Sequence, residues 1–358
     1  MRLVNDIRQS ATLPGAFYKD LSLFEKSIEK VFASTWQFVD GVSNLLIENN
    51  LVPFEFLPGI LSEPLLMARD KSGSEKCMSN VCTHRGMLLQ EAPGNSSRLR
   101  CRYHGRCFHL DGKFASMPKF ELVENFPTDS DNLSAVPFSK LFGNYFVSLQ
   151  PTLPLETMVD PILKRLSWMP FETLIPVKEA STDFEIEAHW ALYVDNFLEG
   201  FHIPFVHPAL NQAIVFDNYE TVLYDWCNLQ IGPAKEGEPH FDIPVGAEDF
   251  GKKIYGYYWW VYPNLMLNFY PWGLSLNYVQ PLSSSKTKIL FRTFRFPDQP
   301  FNREDFALDQ TEMEDEAVVE AVYKGLQSRY YEAGRFSPEM EKGVHHFHLL
   351  LQDALLNE

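Results

Sequence analysis

Two short segments, Val81-Cys82-Thr83-His84-Arg85-Gly86 and Cys101-Arg102-Tyr103-His104-Gly105, restrict what this chain can become more than any other feature. Each holds one cysteine and one histidine, and 16 residues separate His84 from Cys101. Two thiols and two imidazoles make a complete metal donor set, so the fold must bring the two segments together. A structural zinc ion takes such donors. So does a sulfide-bridged iron pair, with the thiolates on one iron and the imidazoles on the other. Neutral imidazoles leave that cluster less negative, and higher in potential, than an all-cysteine one. Zinc fingers usually group their cysteines and their histidines, whereas here each half carries one of each, which favours iron and sulfide. Gly86 and Gly105 would let the backbone approach the sulfides.

The remaining cysteines add little. Four of the five, Cys77, Cys82, Cys101 and Cys107, fall within 31 positions, and Cys227 stands alone. An odd count with no apolar leader at the start argues against a disulfide framework and makes the cytoplasm the expected compartment. Cys107 reads as a buried structural thiol beside the ligands. A net charge of −16 disfavours nucleic acid and anionic membrane. The most apolar window, 257–276, is interrupted by Pro263 and Pro271 and carries Asn264 and Asn268, so it does not read as a membrane span.

Along the chain the texture changes twice. Residues 14–34 read as helical, with Leu21, Phe24, Ile28 and Phe32 at helical spacing. From 36 to 150 short apolar runs alternate with turn residues, the pattern of a small β domain. Residues 184–199 give a helix signal running into Pro204 and Pro208. Strand-like runs fill 255–295, and 304–327 returns to helix with acidic residues at its start. The expected fold class is α+β, with an N-terminal all-β domain and a second domain built on an antiparallel sheet.

The segments VCTHRG and CRYHG resemble the ligand loops of a Rieske cluster in the ring-hydroxylating oxygenase family. One departure is visible. The family usually places Trp after the second His-Gly, and here Arg106 and Cys107 follow. The resemblance implies a [2Fe-2S] cluster on Cys82, His84, Cys101 and His104. It also implies a catalytic domain of helix-grip type. With the change of texture near 36 and Pro151 and Pro154 as the boundary, the expected division is a helical segment at 1–35 packing on the catalytic domain, a cluster domain at 36–150 and a catalytic domain at 151–358.

A cluster that stores one electron cannot bind oxygen, so a second metal is needed. In VDNFLEGFHIPFVHP, His202 and His207 stand five apart with Pro204 between them. On one continuous helix they would point about 140° apart; a helix ending near Pro204 would let the chain bend and bring them together. Two imidazoles and a carboxylate form the facial triad of oxygen-activating Fe(II). The segment resembles the family's catalytic stretch, which implies that Glu199, usually Asp, bonds a cluster-ligand histidine of a neighbouring subunit. Asn196, in the same stretch, is assigned a catalytic part beside it. MEDEAVVEAVYKGL resembles a segment of the choline, glycine betaine and carnitine oxygenase branch, in which Asp315 takes the third ligand position. Glu312, Glu314 and Glu316 compete with it. His345, His346 and His348 read as packing or subunit-contact residues.

The function implied is a terminal oxygenase that activates O2 at mononuclear Fe(II) with electrons from its Rieske cluster. It would hydroxylate or oxidatively demethylate a small methylated or quaternary amine. The alternatives are an aromatic-ring hydroxylating mono- or dioxygenase and, from another class, a zinc-stabilised binding protein. No dinucleotide-binding glycine run is present, so a separate reductase, with or without a ferredoxin, is implied. The family expectation is a homotrimer. Trp190, Tyr193, Phe197, Trp259, Tyr262 and Asn268 are the candidates to line the substrate pocket, where aromatic faces could hold a quaternary ammonium.

Overall fold

The structure, a computed structural model, describes residues 3–297 and 308–356. The chain divides into two compact units, Ala33–Thr152 and Met1–Phe32 with Leu153–Glu358. Glu304–Ala307, the start of the expected C-terminal helix, lie outside the described residues.

The N-terminal segment expected as one helix is broken up. Only α1 (Leu21–Ser27) is α-helical, and a π-helical turn, Ile28–Phe32, follows it. Asp20 starts α1 by accepting the Ser22 and Leu23 amides at 2.8 and 3.2 Å, which satisfies donors that a helix start leaves open.

The unit Ala33–Thr152 is built from short antiparallel strands: β1 (Gln37–Val39), then a helix α2 (Val42–Glu48), β2 (Leu51–Phe56), β3 (Glu63–Arg69), β4 (Glu75–Ser79), β5 (Leu99–Arg100), β6 (Cys107–Phe108), β7 (Phe114–Ser116), β8 (Ala135–Val136), β9 (Phe138–Leu141) and β10 (Asn144–Val147). They form three sheets, ordered β1-β10-β9, β2-β3-β4-β8 and β5-β6-β7. The turn between β3 and β4 shows the local logic. Asp70 Oδ1 accepts the Ser72 and Ser74 amides at 2.8 and 3.0 Å, and Gly73 takes φ +85°, where a Cβ would be strained. Leu51, Leu66, Met78, Leu99, Phe108 and Leu133 pack one core, and Cys82 and Cys101 belong to it.

The other unit contains α3 (Leu155–Arg165), β11 (Ile175–Pro176), β12 (Thr182–Ile186), α4 (Trp190–Phe197), α5 (Ile203–Val206), α6 (Pro208–Ala213), β13 (Glu220–Leu223), β14 (Cys227–Pro233), β15 (Ile254–Val261), β16 (Leu265–Tyr270), β17 (Gly273–Ser283), β18 (Lys286–Arg295), α7 (Leu308–Gly325) and α8 (Lys342–Leu356). One antiparallel sheet runs β11-β18-β17-β16-β15-β14-β13, with β12 also on β18. Every residue of β15 and β16 is buried, which reflects cover on both faces. Helix α4 lies against α7, α8 and β17. Gly343 of α8 passes so close to the Leu198 carbonyl at the end of α4 that a Cβ there would overlap it.

Two expectations need correction. Residues 184–186, expected as the start of a helix, belong to strand β12: the TDFEI run alternates half-buried and exposed positions up to buried Ile186 and pairs with Phe291–Thr287 of β18. The helix starts only after His189, whose Nδ1 accepts the Ala191 amide at 3.3 Å. That helix also ends earlier than Pro204, with Leu198 as its last cap, and Pro204 instead sits in the first turn of the new helix α5. The first turn of a helix tolerates proline because its amide has no partner there.

Candidate metal centres

The loops after β4 and β5 are built alike. In the first, the Cys82 amide donates to the Met87 carbonyl at 2.8 Å and the Gly86 amide to the Cys82 carbonyl at 3.0 Å. In the second, the Cys101 amide donates to Arg106 at 2.8 Å and Gly105 to Cys101 at 3.0 Å. Gly86 and Gly105 take φ +73° and +76°, a conformation that glycine adopts without strain. Both cysteines are buried, while the His84 and His104 rings meet edge to face with centroids 4.8 Å apart. Burial raises the Cys82 thiol above its ordinary pKa, so a bound cation is what would hold it as thiolate. Cys107 is half-buried, and its Sγ donates to the Gly105 carbonyl at 3.3 Å, turned back on its own strand.

Around one zinc ion, four donors all lie within about 4 Å of one another. Among the described residues, the only set of three or more ligand atoms within 4.8 Å of one another is His202, His207 and Asp315. The four loop donors form no such set. The Cys82 thiol lies within hydrogen-bonding reach of Cys101 and the two histidine rings meet, so the donors come as a cysteine pair and a histidine pair, the arrangement that two bridged irons take.

At the second site the backbone does the gathering. His202 precedes α5 and His207 stands at the joint between α5 and α6, so the two short helices turn the imidazoles toward each other. Their Nε2 atoms are 3.1 Å apart, and Asp315 Oδ1 of α7 lies 3.0 Å from His207 Nε2 and 3.5 Å from His202 Nε2. Three donors on one face of an octahedral ion, with bonds near 2.1 Å, stand about 3 Å apart. The tautomers are set from behind. His202 Nδ1 donates to Glu199 Oε1 at 2.7 Å and His207 Nδ1 to Glu314 Oε2 at 2.8 Å. Both Nε2 lone pairs therefore face each other and a carboxylate, an arrangement that a cation between them relieves.

The electrostatics agree. Burial pulls His202 down, but Asp315 and Glu199 outweigh it and lift its pKa to about 9. Burial would raise Asp315, yet the two histidines hold it at about 2. Such a site suits a cation, and a metal ion would supply the charge that protons otherwise bring. Asn196 Nδ2 donates to Asp315 Oδ1 at 2.5 Å. Of the carboxylates competing with Asp315, Glu314 sits behind His207, while Glu312 is buried in the adjoining cavity.

That cavity, about 100 Å³, opens onto His202, His207 and Asp315. Its floor is one row across the sheet, Gln230, Tyr258, Asn268 and Ser275, which face one another on β14 to β17. Tyr193 and Phe197 of α4 cover it, with Tyr219, Tyr270 and Phe291 on the walls. Gly200 lets the Tyr219 ring reach this position, since a Cβ there would lie 2.6 Å from it. Gln230 Nε2 donates to the Phe197 carbonyl at 2.6 Å, which leaves its Oε1 buried without a partner. Among the described residues, no Lys or Arg lines the cavity.

The structure brings Tyr193, Phe197 and Asn268 into this cavity and leaves three other pocket candidates outside it. Trp190 shares the helix stripe of Tyr193 and Phe197 but packs at the far end, on Phe32 and Phe347. Trp259 is one residue from Tyr258 and so faces the opposite side of the sheet, stacked on Tyr224. Tyr262 lies beyond β15, against Trp226 and Trp260. Tyr219, Gln230, Tyr258 and Tyr270 were not anticipated. Alternation along YGYYWWVY could have singled out Tyr258, had one face of the strand been exposed to fix the phase. His345 and His348 pack inside their own unit: His345 Nε2 lies 2.9 Å from the Val4 carbonyl, and His348 Nε2 donates to Asp195 Oδ1 at 2.8 Å.

Comparison with known proteins agrees with this geometry. Residues 35–127 match the Rieske [2Fe-2S] domain family, and residues 171–357 match the ring hydroxylating alpha subunit catalytic domain. The chain is 30% identical to the carnitine monooxygenase oxygenase subunit of Escherichia coli K12, over 96% of this chain and 94% of that one. It is 29% identical to the chloroplastic choline monooxygenase of Arabidopsis thaliana, over 98% of this chain and 84% of that protein. A quaternary ammonium Rieske monooxygenase solved with L-carnitine has a similar fold, with TM-score 0.77 at 22% identity, covering 99% of this chain and 100% of that one. Naphthalene 1,2-dioxygenase from Rhodococcus superimposes with TM-score 0.74 at 20% identity, over 97% and 95% of the two chains.

Proposed function

The chain belongs to the Rieske-type ring-hydroxylating oxygenases, oxidoreductases with a [2Fe-2S] cluster and a mononuclear iron, and on that premise we propose that it oxygenates a small quaternary amine carrying a hydroxyl group, of which choline is the model. Cys82 and Cys101 hold one iron of the cluster, and His84 and His104 the other. His202, His207 and Asp315 hold the mononuclear iron, which when bound supplies O2 activation with an electron from the cluster.

The protein's own part is positioning. Glu199 and Glu314 keep both imidazoles in the tautomer that presents Nε2, and Asn196 steadies Asp315. Glu199 has lone pairs beyond those used for His202, and through one of them it links to a cluster-ligand histidine of the neighbouring subunit in a homotrimer. Electrons come from a separate reductase, because this chain has no nucleotide-binding run. Among the described residues, no helix is long and apolar enough to cross a membrane.

The observation that carries the substrate proposal is the cavity beside the iron ligands. Tyrosine and phenylalanine faces together with buried Glu312 suit a cation held without its water shell. The free Gln230 Oε1 accepts a substrate hydroxyl, and a ligand that leaves it empty loses the value of that bond. A volume of about 100 Å³ offers roughly seven water-sized positions, the scale of choline and smaller than a polycyclic aromatic. The choline and carnitine monooxygenase relatives act on molecules of the same charged-head class.

The test is O2 uptake and aldehyde formation by the protein with a surrogate reductase, offered choline, carnitine, glycine betaine and naphthalene in turn. Coupled turnover with choline above the others supports the proposal. Turnover of naphthalene alone would overturn it, and glycine betaine, which has no hydroxyl, turned over above choline would remove the role given to Gln230.

A further inference from the structure

Arg106 departs from the family pattern at the position after the second loop's His-Gly, and it is not a ligand of either metal site. Its side chain is 2% exposed, within the range of the buried core. Burying a guanidinium is costly unless it is paired, and here the pairing is partial. Nη2 donates to Asp131 Oδ1 at 2.7 Å and to the Asp131 carbonyl at 3.1 Å, while Nε has no partner. Phe108, Phe114 and Phe126 surround the guanidinium carbon, with centroids at 5.6, 5.0 and 5.5 Å. A tryptophan would fill this aromatic nest without any charge.

Arg106 is also joined to both ligand loops. Its backbone carbonyl accepts the Cys101 amide at 2.8 Å, closing the second loop. The Asp131 carbonyl that takes its Nη2 also accepts Thr83 Oγ1, at 2.9 Å, from between Cys82 and His84 in the first loop. The cation is therefore tied to both ligand loops.

We propose that Arg106 is a buried counter-charge that raises the reduction potential of the Rieske cluster, with Asp131 as the brake on its effect. Two thiolates and two sulfides make the oxidised cluster formally neutral, and one electron from the reductase makes it singly negative, reducing the histidine-held iron from ferric to ferrous. A fixed cation in a low-dielectric pocket favours the negative state over the neutral one. The sequence change from Trp to Arg thereby makes this cluster an easier electron acceptor.

Midpoint potentials of the purified holoprotein, by redox titration followed in the visible and by electron paramagnetic resonance, test this. Arg106→Met should lower the potential by the equivalent of about tenfold in the reduction equilibrium, about 59 mV for one electron. Arg106→Lys should keep most of the effect. Asp131→Asn, which removes the opposing charge while keeping the oxygen, should move the potential upward, and this arm decides the matter where Arg106→Met fails to assemble its cluster. An unchanged potential in Arg106→Met with the cluster intact, a Lys variant as low as the Met variant, or a fall in Asp131→Asn would each overturn the proposal. Protein without labile sulfide would instead show that the cluster assignment itself has failed.

Discussion

Replacing Glu314 with alanine should loosen iron at His207 without removing a ligand. The Glu314 carboxylate accepts His207 Nδ1 at 2.8 Å, and its other oxygen is held by Gln310 Nε2, also at 2.8 Å. His207 is 2% exposed, so its Nδ1–H would be left nearly dry. A hydrogen bond to a charged group contributes about 1.5–3 kcal/mol. Glu314 is 24% exposed, so water can partly replace it, which selects the lower end of that range. At about 1.4 kcal/mol per decade, Fe(II) should bind about ten- to thirtyfold more weakly. Glu314→Gln keeps an acceptor oxygen for Nδ1–H, and the Gln310 amide can turn to receive its amine, so its affinity should stay within about threefold. The assay is anaerobic Fe(II) competition with a chromogenic chelator, with the cluster's visible absorption as internal control. Wild-type affinity in Glu314→Ala, or equal losses in both variants, would refute the reasoning.

Three other expectations come from the same geometry. His202→Ala should abolish turnover with the cluster spectrum intact; a bleached cluster would contradict the separation of the two metal sites. Gly200→Ala should cost about 1–3 kcal/mol of local strain by driving a Cβ into the Tyr219 ring, visible as a fall in kcat with the cluster unchanged, whereas wild-type turnover would show that the ring moves freely. Burial drives the pKa of His189 down to about 3, against about 6.5 in an unfolded chain, so the folded state binds fewer protons between those values. Its stabilising contribution is whole above pH 6.5 and is lost as the pH falls, by about 2 kcal/mol between pH 7 and pH 5. Urea unfolding should show that excess loss relative to His189→Asn, which retains a capping oxygen, and equal pH slopes would contradict it.

What the sequence disclosed depended on how local each signal was. Cys82, His84, Cys101 and His104 declare themselves because ligand type and spacing lie within two short loops. His202 and His207 were legible as a pair, but the bend that joins them was misplaced: Pro204 looked like a helix stop and is part of a helix start. Asp315, far along the chain from both histidines, came from resemblance alone, since its neighbours Glu312, Glu314 and Glu316 offer the same carboxylate. Only the fold separates these roles, setting Glu314 behind an imidazole and Glu312 in the cavity. The pocket was half legible for a different reason. Strands β15 and β16 are covered on both faces, so alternation carries no phase, and Trp259 could not be told from Tyr258. Trp190 lies on the correct helix stripe but about 10 Å along the axis from Phe197, a distance that composition cannot reveal. Strand β12 was read as helix because its partner, β18, lies about a hundred residues later.

The most direct test is the metal and sulfide content of protein purified without air, with an electron paramagnetic resonance spectrum after dithionite reduction. About three irons and about two acid-labile sulfides per chain, with the rhombic signal of a histidine-ligated cluster, are the predicted result. Zinc with no sulfide and no signal would contradict the account at its root.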